Sequence, residues 1–252
     1  MAFQRLARKI LLTLVGSSFL LILAGVPQAD ARAAAPVAAS ADQRLVRVYF
    51  LTGGPVDIFS RETANNIRTK MDSYSQNLAI PAKFERHWFA HWRGLSKRIA
   101  RLNGRDKIVL IGHSWGAAGA VQVAHQLKKK NVPVDLLVTI DTVPIPGLLG
   151  HARIPDNVLS NYNFYQASDL FAHTAHKNHR KDDGTDTGIH NVQVVMGAVY
   201  SPHMRIDDRI EPVISSMVGM LMRGCIDNVR LPEKLDKQLI CDVTKELERY
   251  PN

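Results

Sequence analysis

The sequence predicts an α/β domain: a mostly parallel central sheet with helices on both faces. Three observations carry this. Short runs of β-forming residues alternate along the chain with longer runs of helical spacing, the pattern of βαβ units. The run 134–140 is nearly unbroken apolar, as expected of a strand buried on both faces of a parallel sheet. Finally, Ile108-Val109-Leu110-Ile111 leads directly into Gly112-His113-Ser114-Trp115-Gly116, and a helix-forming run follows.

In chain order, 45–51 (Leu-Val-Arg-Val-Tyr-Phe-Leu) reads as a strand, broken by Thr52-Gly53-Gly54-Pro55. A helix follows over 60–78, with Ser60 as its cap and Ala64, Ile67, Met71 and Tyr74 at helical spacing. A short strand at 82–89 and a helix at 94–102 precede Asn103-Gly104. The strand 107–111, the helix 117–130 and the strand 134–140 form the central unit. Further strands are expected at 161–166 and 192–199, and a closing amphipathic helix at 210–222, with Asp207 and Asp208 as anions near its start.

The chain has 252 residues with 46% hydrophobic content, enough for one domain with a real core. Its formal charge is +9, spread in short clusters such as Lys128-Lys129-Lys130 without any nucleic-acid-binding motif. A solvated basic surface, capable of weak contact with an anionic membrane, is the expectation. Nucleic acid is not an expected partner.

The N-terminus has the three parts of an export signal: basic Arg5, Arg8 and Lys9, an uncharged stretch 10–26, and Ala29-Asp30-Ala31 as a cleavage site. The stretch is 17 residues long, barely enough to span a bilayer, so an uncleaved anchor stays open as the alternative. The resulting division is a signal over 1–31, an Ala-rich linker over 32–44, the α/β domain over 45–224 and a C-terminal tail over 225–252. Export implies a periplasmic or secreted location, where Cys225 and Cys241 can close one local loop as a disulfide. These two thiols lack further ligands at zinc spacing, and no metal or other cofactor is expected.

Strand, sharp turn and helix around Gly-X-Ser-X-Gly give Ser114 the context of a nucleophile. A helix cap would explain the serine alone but leaves the paired glycines unexplained. A serine hydroxyl needs a base within hydrogen-bond reach, and the base needs an orienting carboxylate. Asp141 ends the strand after the nucleophile helix. Asp135 and Asp169 are its rivals, and Asp169 is the serious one. His203 follows the last strand and precedes the last helix, which singles it out among 10 histidines. If Asp141 is the acid, a carboxylate oxygen must lie within about 3.2 Å of a His203 ring nitrogen. The Trp115 N–H, with a donor from Gly53 or Gly54, would bind a developing oxyanion.

These residues resemble the α/β-hydrolase superfamily over most of 45–222, and within it a thioesterase- or lipase-like branch. The Gly53-Gly54 turn resembles that branch's oxyanion loop. Gly112 to Ala117 resembles its elbow, and Asp141 and His203 stand where it places acid and base. The resemblance implies cleavage of an ester or thioester through an acyl-enzyme, with a small-molecule or lipid-like ester as substrate. Export favours an oxygen ester. An acyltransferase with the same residues, and a non-catalytic envelope protein keeping the fold, remain alternatives. Trp88, Trp92 and Trp115 are candidates for an acyl-pocket wall, with Trp88 read rather as a core aromatic. His173, His176, His179 and His190, with Asp182, Asp183 and Asp186, are read as a surface loop over the site rather than a metal cluster.

Overall fold

The computed structural model describes residues 44–54, 60–102, 104–144, 153–167, 188–197 and 201–249. The proposed signal and linker, apart from Arg44, lie outside them, as do Asp169, His173, His176 and His179.

Seven strands form one sheet in the order β2-β1-β3-β4-β5-β6-β7. They are β1 (Val46–Thr52), β2 (Ala82–Trp88), β3 (Lys107–His113), β4 (Val134–Ile140), β5 (Val158–Tyr165), β6 (Ile189–Val194) and the short β7 (Lys234–Leu235). Every pairing between them is parallel. All strands therefore point their C-terminal ends to one edge, where ligands bind in open α/β sheets.

Period-two alternation sends successive side chains to opposite faces. Val46, Val48 and Phe50 of β1, with Val109 and Ile111 of β3, face helices α1 (Ser60–Leu78), α4 (Ile206–Met222) and α5 (Lys237–Arg249). Tyr49 and Leu51, with Ile108 and Leu110, face α2 (Trp92–Ile99) and α3 (Trp115–Lys128). The sheet thus carries helices on both faces, as the alternation of strands and helices predicts.

Some boundaries differ from the sequence reading. β6 begins at Ile189 rather than 192, because polar His190 and Asn191 pair with Tyr162 and Asn163 in the sheet. It stops before Gly197, whose φ of 67° leaves the extended region. α4 starts at Ile206, so Asp207 and Asp208 lie inside its first turn.

The segment read as a tail supplies β7 and α5. Leu235 is fully buried at the sheet edge, and Ile240, Val243 and Leu247 pack into the core on the α4 side. Lys70 of α1 and Glu248 of α5 pair at 3.7 Å. The expected bridge between Cys225 and Cys241 is not formed; both thiols are free. Cys225 follows the C-terminal end of α4, whereas Cys241 shares a cleft with Arg205, Asp208, Arg209 and Pro212 at the other end. Four turns of helix, about 20 Å at 1.5 Å per residue, separate these ends. A disulfide needs Cα atoms within about 7 Å.

Candidate active site

Ser114 alone joins β3 to α3, at φ 58° and ψ −124°. A non-glycine residue there is strained, and the surroundings hold it in place. Ser114 N–H donates to the Ile140 carbonyl at 2.9 Å, and the Ser114 carbonyl accepts from Ala117 N–H at 3.1 Å and Val143 N–H at 3.3 Å. The flanking glycines permit the turn. A Cβ on Gly112 would fall 2.4 Å from the Gly116 oxygen, and one on Gly116 would fall 2.0 Å from the Leu51 oxygen.

The hydroxyl so lifted donates to His203 Nε2, with 3.0 Å between the atoms. On the far side of the ring, His203 Nδ1 lies 2.7 Å from Asp141 Oδ2, inside the limit that the sequence reading sets. Asp141 is fully buried and His203 nearly so. The three groups come from three segments: the elbow after β3, the end of β4 and a single turn, Pro202–Met204, that leads into α4.

Gln166, just after β5, is a partner that the sequence did not disclose. Its Nε2 donates to Asp141 Oδ2 at 3.0 Å and its backbone N–H to Oδ1 at 3.4 Å. An acceptor-only carboxylate facing Nδ1 fixes the proton there. Nε2 then presents its lone pair to the Ser114 hydroxyl, the tautomer a general base requires. Asp135 is elsewhere: it accepts from Ile108 N–H at 2.8 Å, and burial above all raises its pKa.

Trp115 opens α3, so its N–H is among those with no intrahelical acceptor. Gly53 lies against Ser114, since a Cβ there would meet Ser114 Cβ at 3.0 Å and Oγ at 3.5 Å. Gly54 lies under the Trp115 ring, at 3.4 Å by the same measure. Both glycines therefore border the site, with Gly53 nearer Ser114 Oγ.

His113 is the second residue that sequence reasoning missed. It is buried, and its ring centroid lies 5.0 Å from that of His203. Its Nε2–H donates to the His203 carbonyl at 2.9 Å; a carbonyl can only accept, so in the neutral ring Nδ1 accepts from the Ser60 hydroxyl at 2.9 Å. Asp207, fully buried, approaches Nδ1 to 4.0 Å. A histidine inside the elbow motif was the available signal, though at that position the motif accepts any residue.

Trp92 is the core aromatic, packed in the α2–α3 layer, whereas Trp88 is 45% exposed, which reverses its sequence reading. β2 is an edge strand, and Trp88 ends it beyond the reach of that core. Among the histidines of the His-rich stretch only His190 is described; it stacks on Tyr162 at 4.3 Å. Among the described residues no group of three or more His, Cys, Asp or Glu is arranged to hold a metal ion.

No family model matches the sequence, and no curated protein matches it significantly. Among solved structures, the chain is similar to a protein from Xanthomonas campestris pv. campestris assigned as a hydrolase of the alpha/beta superfamily. Identity is 17% over 71% of this chain and 98% of that one, with a TM-score of 0.39. It is also similar to a metagenomic carboxyl esterase, at 15% identity over 60% of this chain and 58% of that one, with a TM-score of 0.28. The chain therefore spans less than two thirds of the esterase's length. The parallel sheet and the elbow between β3 and α3 fit the α/β-hydrolase fold that the sequence resembles.

Proposed function

We propose that this chain is a serine hydrolase that cleaves carboxylic esters through an acyl-enzyme. The observation that carries the reading is the unbroken relay from Ser114 Oγ through His203 to Asp141, at 3.0 and 2.7 Å. Ser114 Oγ attacks the ester carbonyl carbon as His203 Nε2 takes the hydroxyl proton. The Trp115 N–H, with a donor from the Gly53-Gly54 turn, meets the developing oxyanion. Collapse breaks the C–O bond, and His203 returns the proton to the departing alcohol. A water molecule, deprotonated by the same nitrogen, then attacks the acyl-Ser114 carbonyl; its proton passes to Ser114 as the acid leaves. A thioester would follow the same course with a thiol as leaving group.

The test is labelling with a fluorophosphonate, which reacts only with an activated serine, followed by turnover of simple esters. The folded protein should be labelled and Ser114→Ala should not. Folded protein that resists the probe would favour a non-catalytic envelope role. Ester products formed with added alcohols or amines would favour an acyltransferase.

The same reading includes export. Arg5, Arg8 and Lys9, the apolar stretch and Ala29-Asp30-Ala31 support a mature chain that starts near Arg32 outside the cytoplasm. Mass spectrometry of the N-terminus tests this. An intact Met1 chain in the membrane fraction would favour the anchor.

A further inference from the structure

From the nucleophile, a line of aromatic rings runs outward to solvent. The Trp115 ring covers Gly54 of the oxyanion turn. Phe89 meets Trp115 edge to face at 5.2 Å and 63°, and Trp88 meets Phe89 at 5.0 Å and 70°. His91 stands edge-on to Trp88 at 5.8 Å and closes the outer end. The line is rigid at its middle, because the turn at Phe89 packs directly on α3: a Cβ on Gly119 would fall 3.2 Å from the Phe89 oxygen. At its end Trp88 remains 45% exposed, so the apolar line that starts beside Ser114 opens to solvent there.

We infer that Trp115, Phe89 and Trp88 form the wall along which the acyl chain of the substrate lies, and that this chain is a long, flexible, apolar one. The inference rests on the hydrolase reading above and adds the substrate class to it. Two arguments lead here. The first concerns sides. His203 must hand its proton to the departing oxygen, so the alcohol lies on the His203 side of the carbonyl. Asp141, the partner of His203, ends β4 on one side of the nucleophile strand. Trp88 ends β2, in register with Thr52 of β1, on the other side. The aromatic line therefore meets the acyl half of the ester and not the alcohol half. The second concerns shape. Two parallel rings would clamp a flat acyl group, but successive edge-to-face rings leave a corrugated apolar surface that suits methylenes.

The test uses two series of monomeric esters below their aggregation limit. In one, 4-nitrophenol is the constant leaving group and the acyl group runs from acetate through octanoate, with benzoate added. In the other, acetate is constant and the alcohol varies. The expected result is a kcat/KM that rises from acetate to octanoate by about tenfold or more, as buried methylenes contribute to transition-state binding. Trp88→Ala and Phe89→Ala should each lower the octanoate-to-acetate ratio about fivefold or more, and Trp88→Phe should restore most of it. A purely structural role would depress both esters alike and leave the ratio where it was. An unchanged ratio, a preference for benzoate, or a shift in the alcohol series would overturn the inference. So would a Trp88 effect seen only with aggregated substrate, which would make Trp88 a surface anchor instead. Failure is distinguishable from failure of the hydrolase reading: a labelled Ser114 with a flat acyl series removes only the wall, whereas unlabelled protein inert to every ester removes both.

Discussion

His113 Nε2–H donates to the main-chain carbonyl of His203 across 2.9 Å, so the residue before Ser114 holds the backbone that carries the proposed base. A catalytic imidazole displaced by about 1 Å can cost about 100-fold in rate. His113→Ala should lower kcat by about 10- to 100-fold with little change in KM, since the ring is buried behind His203. His113→Gln, which can still present an N–H near the Nε2 position, should recover part of the loss. Ser60→Ala, which removes the hydroxyl facing Nδ1, should cost less than His113→Ala. Steady-state kinetics on variants checked for folding by thermal melts decide this. A kcat loss that merely tracks the loss of folded protein would refute the positioning role.

The elbow glycines invite a sharper contrast. Gly112→Ala and Gly116→Ala each place a Cβ within about 2.4 Å of backbone oxygen, far inside any contact distance, and the clash is with main chain that cannot swing away. Both should abolish folding or leave a protein with neither probe labelling nor a cooperative transition. Gly94, inside α2, has nothing within 4 Å of its notional Cβ. Gly94→Ala should raise the denaturation midpoint, by up to about 1 kcal/mol of stability, because it narrows the unfolded ensemble and favours helix.

Strands with a strong apolar signature, such as β4, and helices with clear spacing, such as α1, were legible at their true bounds. β6 was legible only in part, because Ile189-His190-Asn191 looks like loop until β5 supplies the pairing. β7 is two residues long and exists only as an edge addition, so no local pattern could announce it. α5 carries an apolar stripe that the sequence does contain, at Ile240, Val243 and Leu247, hidden by dense charge between those positions. In the site, the proximity of Ser114, Asp141 and His203 was legible because the parallel order puts the ends of β3 and β4 and the turn before α4 at one edge of the sheet. Gln166 and His113 were not. Their importance lies in the atoms they face, and those contacts join residues 25 and 90 positions apart.

Asp141 is held by two kinds of donor, the His203 ring and Gln166, and they separate in their consequences. Asp141→Asn should reduce turnover by about 10⁴-fold, the loss expected when the ring settles into the wrong tautomer. Gln166→Leu leaves the ring contact in place but removes a hydrogen bond to a buried carboxylate. It should cost about 1–3 kcal/mol in stability and about tenfold in kcat. Denaturant melts and single-turnover kinetics on both variants check the order. A Gln166 variant as inactive as Asp141→Asn would mean that the amide does more than hold the acid.

Alkaline pH should act through Tyr162. Its hydroxyl donates to the Val229 carbonyl at 3.0 Å, tying β5 to the segment before β7. Burial pushes its pKa up to about 12, against about 10 in the unfolded chain. Burial likewise raises Tyr49 and Tyr165. A folded pKa above the unfolded one means that the unfolded chain releases its proton first as pH rises. The stabilising contribution is therefore complete below about pH 10 and is lost progressively up to about pH 12. Denaturant midpoints should fall steeply across that window in the parent protein and less steeply in Tyr162→Phe. The variant should start lower at neutral pH by about 1 kcal/mol, for want of the hydrogen bond. The two curves should draw together above pH 10 and meet well before pH 12, because the loss across the window exceeds that starting difference. Ultraviolet titration of tyrosinate gives an independent check: near pH 10 the native parent and Tyr162→Phe should titrate the same number of phenols, and the parent should show one more only as the fold gives way. Parallel curves that never meet would place the alkaline sensitivity in Tyr49 or Tyr165 instead.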